Sequence, residues 1–201
     1  MAKRLTDVWV QSMADAAKKD KPYVPKENEW LSVGDIGAHT GRPLGKAYAK
    51  SLDVQFFITP RHRYATDSAV GFSGGGWVPT DRNLIPVALC LGASSRDRFQ
   101  AFKGPNEGWC NIETLKYQAN VTYFAEMSFN ITTKTYSATV WMLDAGGKQD
   151  TPYSVAKDFP FRVGSGDSAI PAIKAIDTVY LGPAGWWGSY IIRDFKVIGG
   201  E

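Results

Sequence analysis

Residues 121–143 read VTYFAEMSFNITTKTYSATVWML, and the fold class follows from this stretch. In its first half, Val121, Tyr123, Ala125, Met127 and Phe129 share one face of a strand. Thr122, Phe124, Glu126 and Ser128 share the other. In its second half Tyr136, Ala138, Val140 and Met142 stand together, opposite Ser137, Thr139 and Trp141. The link NITTKT (130–135) is short and polar, so the two halves form an antiparallel hairpin.

The same texture runs outward on both sides. Short runs rich in Val, Ile, Phe, Tyr and Thr alternate with Gly, Pro, Asn, Asp and Ser clusters. Strands are expected near 30–34, 46–50, 52–59, 68–73, 84–92, 97–103, 109–117, 121–130, 134–143, 152–162, 175–181 and 189–198. A dozen strands at this spacing predict an all-β, two-sheet antiparallel β-sandwich of the jelly-roll type. No repeat period suited to a propeller or solenoid is present. Only residues 6–19 read as a short helix, with Thr6 as N-cap and Trp9, Met13 and Ala16 at helical spacing. Residues 1–29 are thus an N-terminal helix-like segment and connector, and residues 30–201 the sandwich domain.

Composition sets bounds on function. The 201 residues suffice for one domain that buries roughly 70% of its unfolded surface. A net charge of +3, with scattered basic residues, gives no footprint for nucleic acid. No apolar run approaches the roughly 20 residues of a membrane-spanning helix, and the N-terminus has no secretory signal pattern. Cys90 and Cys110 both sit in apolar runs, where they could be bridged or stand as two buried thiols. With His39 and His62 the only histidines, no zinc spacing exists. Asn120 and Asn130 begin Asn-x-Thr triplets, which matter only in a secreted eukaryotic chain.

The segments AKSLDVQFFITP, DSAVGFSGG, RFQAFKG, LKYQANVTYFAEMSFNITTKTYSATVW and IDTVYLG…GSYIIRDFKV follow in an order that resembles the concanavalin A-like lectin/glucanase superfamily, in its laminin-G-like form. The resemblance covers roughly residues 30–198. It implies a hairpin at the centre of the sandwich and a last strand that closes it beside the chain's beginning. That superfamily includes lectins, carbohydrate-binding modules, glycoside hydrolases and polysaccharide lyases, so a fold of this kind does not choose the function.

The residues discriminate among these classes. A retaining glycosidase needs two carboxylates about 5–5.5 Å apart, and the Glu-x-Asp-x-x-Glu pattern of such enzymes is absent. Glu126 stands alone, as a solvent-facing or salt-bridged strand residue. A lyase needs a base, an acid and a cation for the uronate. Arg61, His62, Arg63 and Tyr64 crowd those types together, with His62 and Tyr64 as base and acid, although a solvated basic loop has the same composition. A binding module needs aromatic faces for pyranose rings. Trp77, Trp109, Trp186 and Trp187 all lie beside glycines in expected loops, with Arg63 and Tyr64 as further ligand contacts. In the doublet Trp186–Trp187, strand alternation would send one ring inward and the other outward.

The resemblance also implies a structural calcium near the last strand, with Asp194 as the acidic position and Glu29 or Asp35 as partners. The flanking Arg193 and Lys196 equally suit a salt bridge. The expectation is therefore a carbohydrate-binding module with a glycan ligand, in an extracellular or periplasmic setting and beside a catalytic domain of a longer protein. A lyase acting on an acidic glycan and a structural or protein-interaction sandwich are the alternatives.

Overall fold

The computed structural model of the protein describes residues 29–32, 40–61, 68–79, 85–92, 98–104, 109–143, 147, 149–162, 170–183 and 190–201. The expected helix at 6–19 lies outside them. Twelve strands are described: β1 (Glu29–Ser32), β2 (Thr40–Tyr48), β3 (Ser51–Pro60), β4 (Ser68–Ser73), β5 (Ala88–Leu91), β6 (Arg98–Phe102), β7 (Trp109–Lys116), β8 (Tyr123–Asn130), β9 (Thr135–Leu143), β10 (Gln149–Pro160), β11 (Ile176–Pro183) and β12 (Tyr190–Gly200). The first sheet has the order β1-β12-β3-β8-β9-β10 and the second β2-β11-β4-β5-β6-β7, with antiparallel pairing throughout. This is the expected sandwich.

Each expected strand has a counterpart, and β2 is the most displaced. It begins at Thr40, not near residue 46, because Pro43 and Gly45 read as breakers. At the edge of a sheet a proline's missing N–H is tolerated, and β2 is an edge strand. No described helix is long and apolar enough to cross a membrane.

The core lies between the sheets, and alternation builds it. Along β3, Leu52, Val54, Phe56 and Ile58 are buried while Ser51, Asp53, Gln55, Phe57 and Thr59 are only half-buried. Each fully buried side chain of this kind contributes about 1.5–3 kcal/mol relative to exposure. Buried tyrosines tie one sheet to the backbone of the other. Tyr136 of β9 donates its hydroxyl to Phe102 O at 2.6 Å, and Tyr190 of β12 to Ala69 O at 2.5 Å. Both hydroxyls thereby keep a partner in the apolar interior.

The second sheet is also covered on its far side. Ala69, Ala88, Cys90, Phe102 and Tyr180 form a second buried cluster with Ile85, and Val78 packs against it. Burial, then the neighbouring hydroxyls of Tyr190 and Tyr136, push the Tyr180 phenol well above its ordinary pKa, so it stays neutral. Cys90 is fully buried in this cluster. Because β6 lies between β5 and β7, Cys90 and Cys110 are two strand spacings apart, about 10 Å. At that backbone separation the two residues are not bridged to each other.

Candidate functional site

With β11, β4, β5 and β6 of the second sheet covered by that cluster, the outward face of the first sheet is where accessible side chains collect among the described residues. Register alone assembles a row across it. Arg193 of β12 pairs with Phe57 of β3, Phe57 with Phe124 of β8, Phe124 with Trp141 of β9, and Trp141 with Pro152 of β10. Paired residues point to the same face, so three rings and a guanidinium stand side by side. The Phe57 and Phe124 centroids are 5.3 Å apart, and those of Phe124 and Trp141 5.4 Å. The Arg193 guanidinium lies over the Phe57 ring, 5.2 Å from its centroid, a cation–π contact that shields one end of the row. Phe124 is 8% exposed, whereas Phe57 and Trp141 are half-buried and keep ring surface in water.

Polar rows flank the aromatic one. On one side Thr59 and Thr122 share a hydroxyl–hydroxyl hydrogen bond of 2.9 Å. On the other, Gln55 Nε2 donates to Glu126 Oε1 at 2.5 Å, beside Thr139 and Ser154. One row further stand Asp53, Ser128 and Ser137, with Asp158 of β10 donating its backbone N–H to Ser137 Oγ at 3.0 Å. Glu126 therefore faces outward, as expected, and its partner is an amide.

The sequence-selected residues are distributed differently. Trp77 follows β4 in the second sheet and is half-buried. Its loop is held by Asp177 of β11, whose carboxylate accepts from Gly75 N at 2.9 Å, Gly76 N at 3.1 Å and Thr178 Oγ1 at 2.7 Å. Gly75 and Gly76 have φ of 68° and 69°, a left-handed pair that only glycine adopts at no steric cost. Partial burial works to raise the Asp177 pKa. The hydrogen bonds from Gly76, Thr178 and Gly75 outweigh it and hold the carboxyl below its ordinary range. Trp109 opens β7, three strands from β4, about 14 Å across the sheet.

His62, Arg63, Tyr64, Trp186 and Trp187 lie outside the described residues, including the expectation of one ring in and one out. Their anchors are described. Pro60 pairs with Tyr190, and Ser68 with Pro183, so the chain leaves and re-enters the two sheets at adjacent points for both segments. Trp77 follows the other end of β4, after Ser73, which pairs with Thr178. Arg61 is half-buried directly after β3.

Asp194 is exposed, with φ of 51°, at a bulge between the Arg193–Phe57 and Lys196–Gln55 pairs. The bulge resets the alternation, so that Phe195 and Val197 pack against the core. Phe195 then stacks with Phe56 at 5.9 Å. Among the described residues no group of three or more His, Cys, Asp or Glu side chains is placed to hold a metal ion. Asp35 and the Glu29 side chain lie outside them.

In the sequence the aromatic row is less conspicuous than the glycine-flanked tryptophans, because its members lie far apart along the chain. Two signals were present. Phe124 falls on the polar face of its strand, and the Phe56–Phe57 doublet must turn one ring outward.

No protein-family model and no curated protein matches this chain. Solved structures do. A xylan β-1,4-xylosidase from Bacillus halodurans C-125 superposes with a TM-score of 0.50 at 9% identity, over 84% of this chain and 32% of that one. The catalytic domain of a glycoside hydrolase family 131 protein from Coprinopsis cinerea gives 0.42 at 13% identity, over 77% and 58%. Arcelin-5, a lectin-like defence protein from Phaseolus vulgaris, gives 0.49 at 8% identity, over 86% and 92%. The chain thus spans a third of the xylosidase and under two thirds of the hydrolase domain. At these identities the likeness is one of fold, and the fold is the concanavalin A-like jelly roll.

Proposed function

We propose that this chain is a carbohydrate-binding β-sandwich whose ligand stacks on the row Phe57–Phe124–Trp141. The observation that carries the reading is the row itself: three contacting rings on the outward face of a sheet, bordered by hydroxyl, amide and carboxylate groups. A pyranose has an apolar C–H face and a rim of hydroxyls, and it needs that combination of ring surface and flanking acceptors. The fold shared with the xylosidase supports the reading, as does the resemblance in the sequence. A place beside a catalytic domain, in an extracellular protein, belongs to the same proposal.

Capture by loop tryptophans is a second reading, and it rests on Trp77. Its carboxylate-clamped loop presents a half-buried ring on a preformed turn.

Titrating the purified chain with neutral and acidic hexasaccharides, monitored by calorimetry and tryptophan fluorescence, tests both. Binding by at least one glycan, lost in Trp141→Ala, is the expected result. Unsaturated products absorbing in the ultraviolet would indicate a lyase instead. If no glycan binds, the reading is wrong.

A further inference from the structure

Resting on the glycan-binding reading, we propose that the same face carries a second sugar subsite at Asp158, and that the ligand is an extended, uncharged glycan lying along β8 and β9. Trp141, Thr139 and Ser137 are successive outward residues of β9, so Ser137 stands about 13 Å from Trp141 along the strand. Phe124, Glu126 and Ser128 run parallel on β8, each paired with its β9 counterpart. The track leads from rings to hydrogen-bonding groups without interruption.

It ends in an open cavity of about 150 Å³, lined by Ser128, Asn130, Thr135, Ser137 and Asp158 together with the edges of Phe129 and Tyr136. Complete ligand sites run to about 300–1,000 Å³. This cavity is therefore too small for a whole oligosaccharide and fits the edge of one ring.

Asp158 is built for the position. Its φ of 52° is left-handed, in a stretch of β10 where the register shifts between Ala156 and Phe159. Its N–H is taken up by Ser137 Oγ at 3.0 Å, while among the described residues its exposed carboxylate makes only a long 3.5 Å contact with the same hydroxyl. Carboxylate lone pairs are thereby left for donors from outside, and two neighbouring sugar hydroxyls supply them. Asp53 and Glu126 add acceptors on the same face. Arg193 and Lys196 stand on β12, four strand spacings from β10, about 19 Å. A uronate or sulfate against the Asp158 carboxylate would meet like charge, offset in part by the exposed Lys157 beside it, which selects against acidic glycans.

The test compares xylohexaose, cellohexaose, laminarihexaose and hexagalacturonate with the matching disaccharides, by calorimetry on the full chain. Asp158→Asn keeps a residue that tolerates the left-handed backbone. It should weaken the best neutral hexaose about tenfold and leave its disaccharide within about twofold. Trp141→Ala should weaken both. If Trp141→Ala abolishes binding while Asp158→Asn changes nothing, the second subsite is wrong and the glycan-binding reading stands. If Trp141→Ala has no effect, both fail. Tighter binding of hexagalacturonate than of every neutral hexaose overturns the uncharged ligand. Should Asp158→Asn shift the melting temperature, Ser128→Ala, an exposed hydroxyl in the same cavity, makes the same prediction.

Discussion

Phe124 and Trp141 stand directly opposite one another on β8 and β9, with ring centroids 5.4 Å apart and planes at 50°. Cross-strand aromatic pairs of this kind contribute roughly 0.2–1 kcal/mol to a sheet. On a buried face they would be ordinary core. Here they face outward, and Trp141 keeps ring surface in water while Phe124 supports it from the side.

Replacing Trp141 with alanine separates binding from stability. We expect glycan affinity to fall at least tenfold, since a stacking ring at the centre of a site carries much of the binding energy. The fold should lose only about 1 kcal/mol, because the ring is half-buried. Calorimetric titration beside urea unfolding reads both. A loss of several kcal/mol in stability would assign the ring to packing.

The Gln55–Glu126 hydrogen bond can be weighed directly. At 2.5 Å and partly buried, it should be worth about 1 kcal/mol, below the fully buried charge-assisted range because water reaches it. A double-mutant cycle of Gln55→Ala and Glu126→Ala, followed through the urea midpoint at constant slope, measures it. A coupling near zero would show two independent surface residues.

Gly71 is required by its cross-strand partner. Tyr180 pairs with Gly71, and its ring lies across the position a Cβ would take. The ring is fully buried and has nowhere to move. Gly71→Ala should therefore cost about 1–3 kcal/mol through overpacking. Gly45→Ala is the control: its φ of 87° is strained for alanine, but an added Cβ meets nothing within 4 Å. It should cost about 1 kcal/mol from the backbone alone. Equal losses at the two sites would refute the steric account.

The Asp177 clamp has a defined pH dependence. Its folded pKa lies below the unfolded value, so its stabilisation is complete above that value, about 3.9, and is lost as pH falls through the lower folded value. The Gly75 and Gly76 amides should stay protected from hydrogen exchange between about pH 5 and 7 and exchange freely only in acid. Asp177→Ala should remove that protection at neutral pH. Unchanged exchange in the variant would mean that the turn holds itself.

Trp77→Ala discriminates between the two binding surfaces. With the sheet face as the site, hexasaccharide affinity should stay within about twofold. A tenfold loss with an unchanged melting temperature would move the site to the loop after β4.

The sandwich and most of its interior are legible in the residue pattern alone. Period-two patterning is enforced wherever one face of a strand is buried, so VTYFAEMSF and SLDVQFFITP declare their core sides without further information. The residues also show that Phe124 breaks the polar pattern of its outer face. Where a strand departs from strict alternation the reading weakened. The bulge at Asp194, which returns Phe195 and Val197 to the core, leaves no mark in a residue pattern. The aromatic row, by contrast, is assembled by tertiary pairing. Phe57, Phe124 and Trp141 are separated by 67 and 17 positions, and nothing local links them. They become neighbours because β3, β8 and β9 hydrogen-bond in that order and that register. Exposure, too, is a property of what packs above a residue: Trp77 is half-buried, as Phe57 and Trp141 are. Strands β4, β5, β6 and β11 of the second sheet pack under Val78 and Ile85, whereas Phe57 and Trp141 on the first keep ring surface in water.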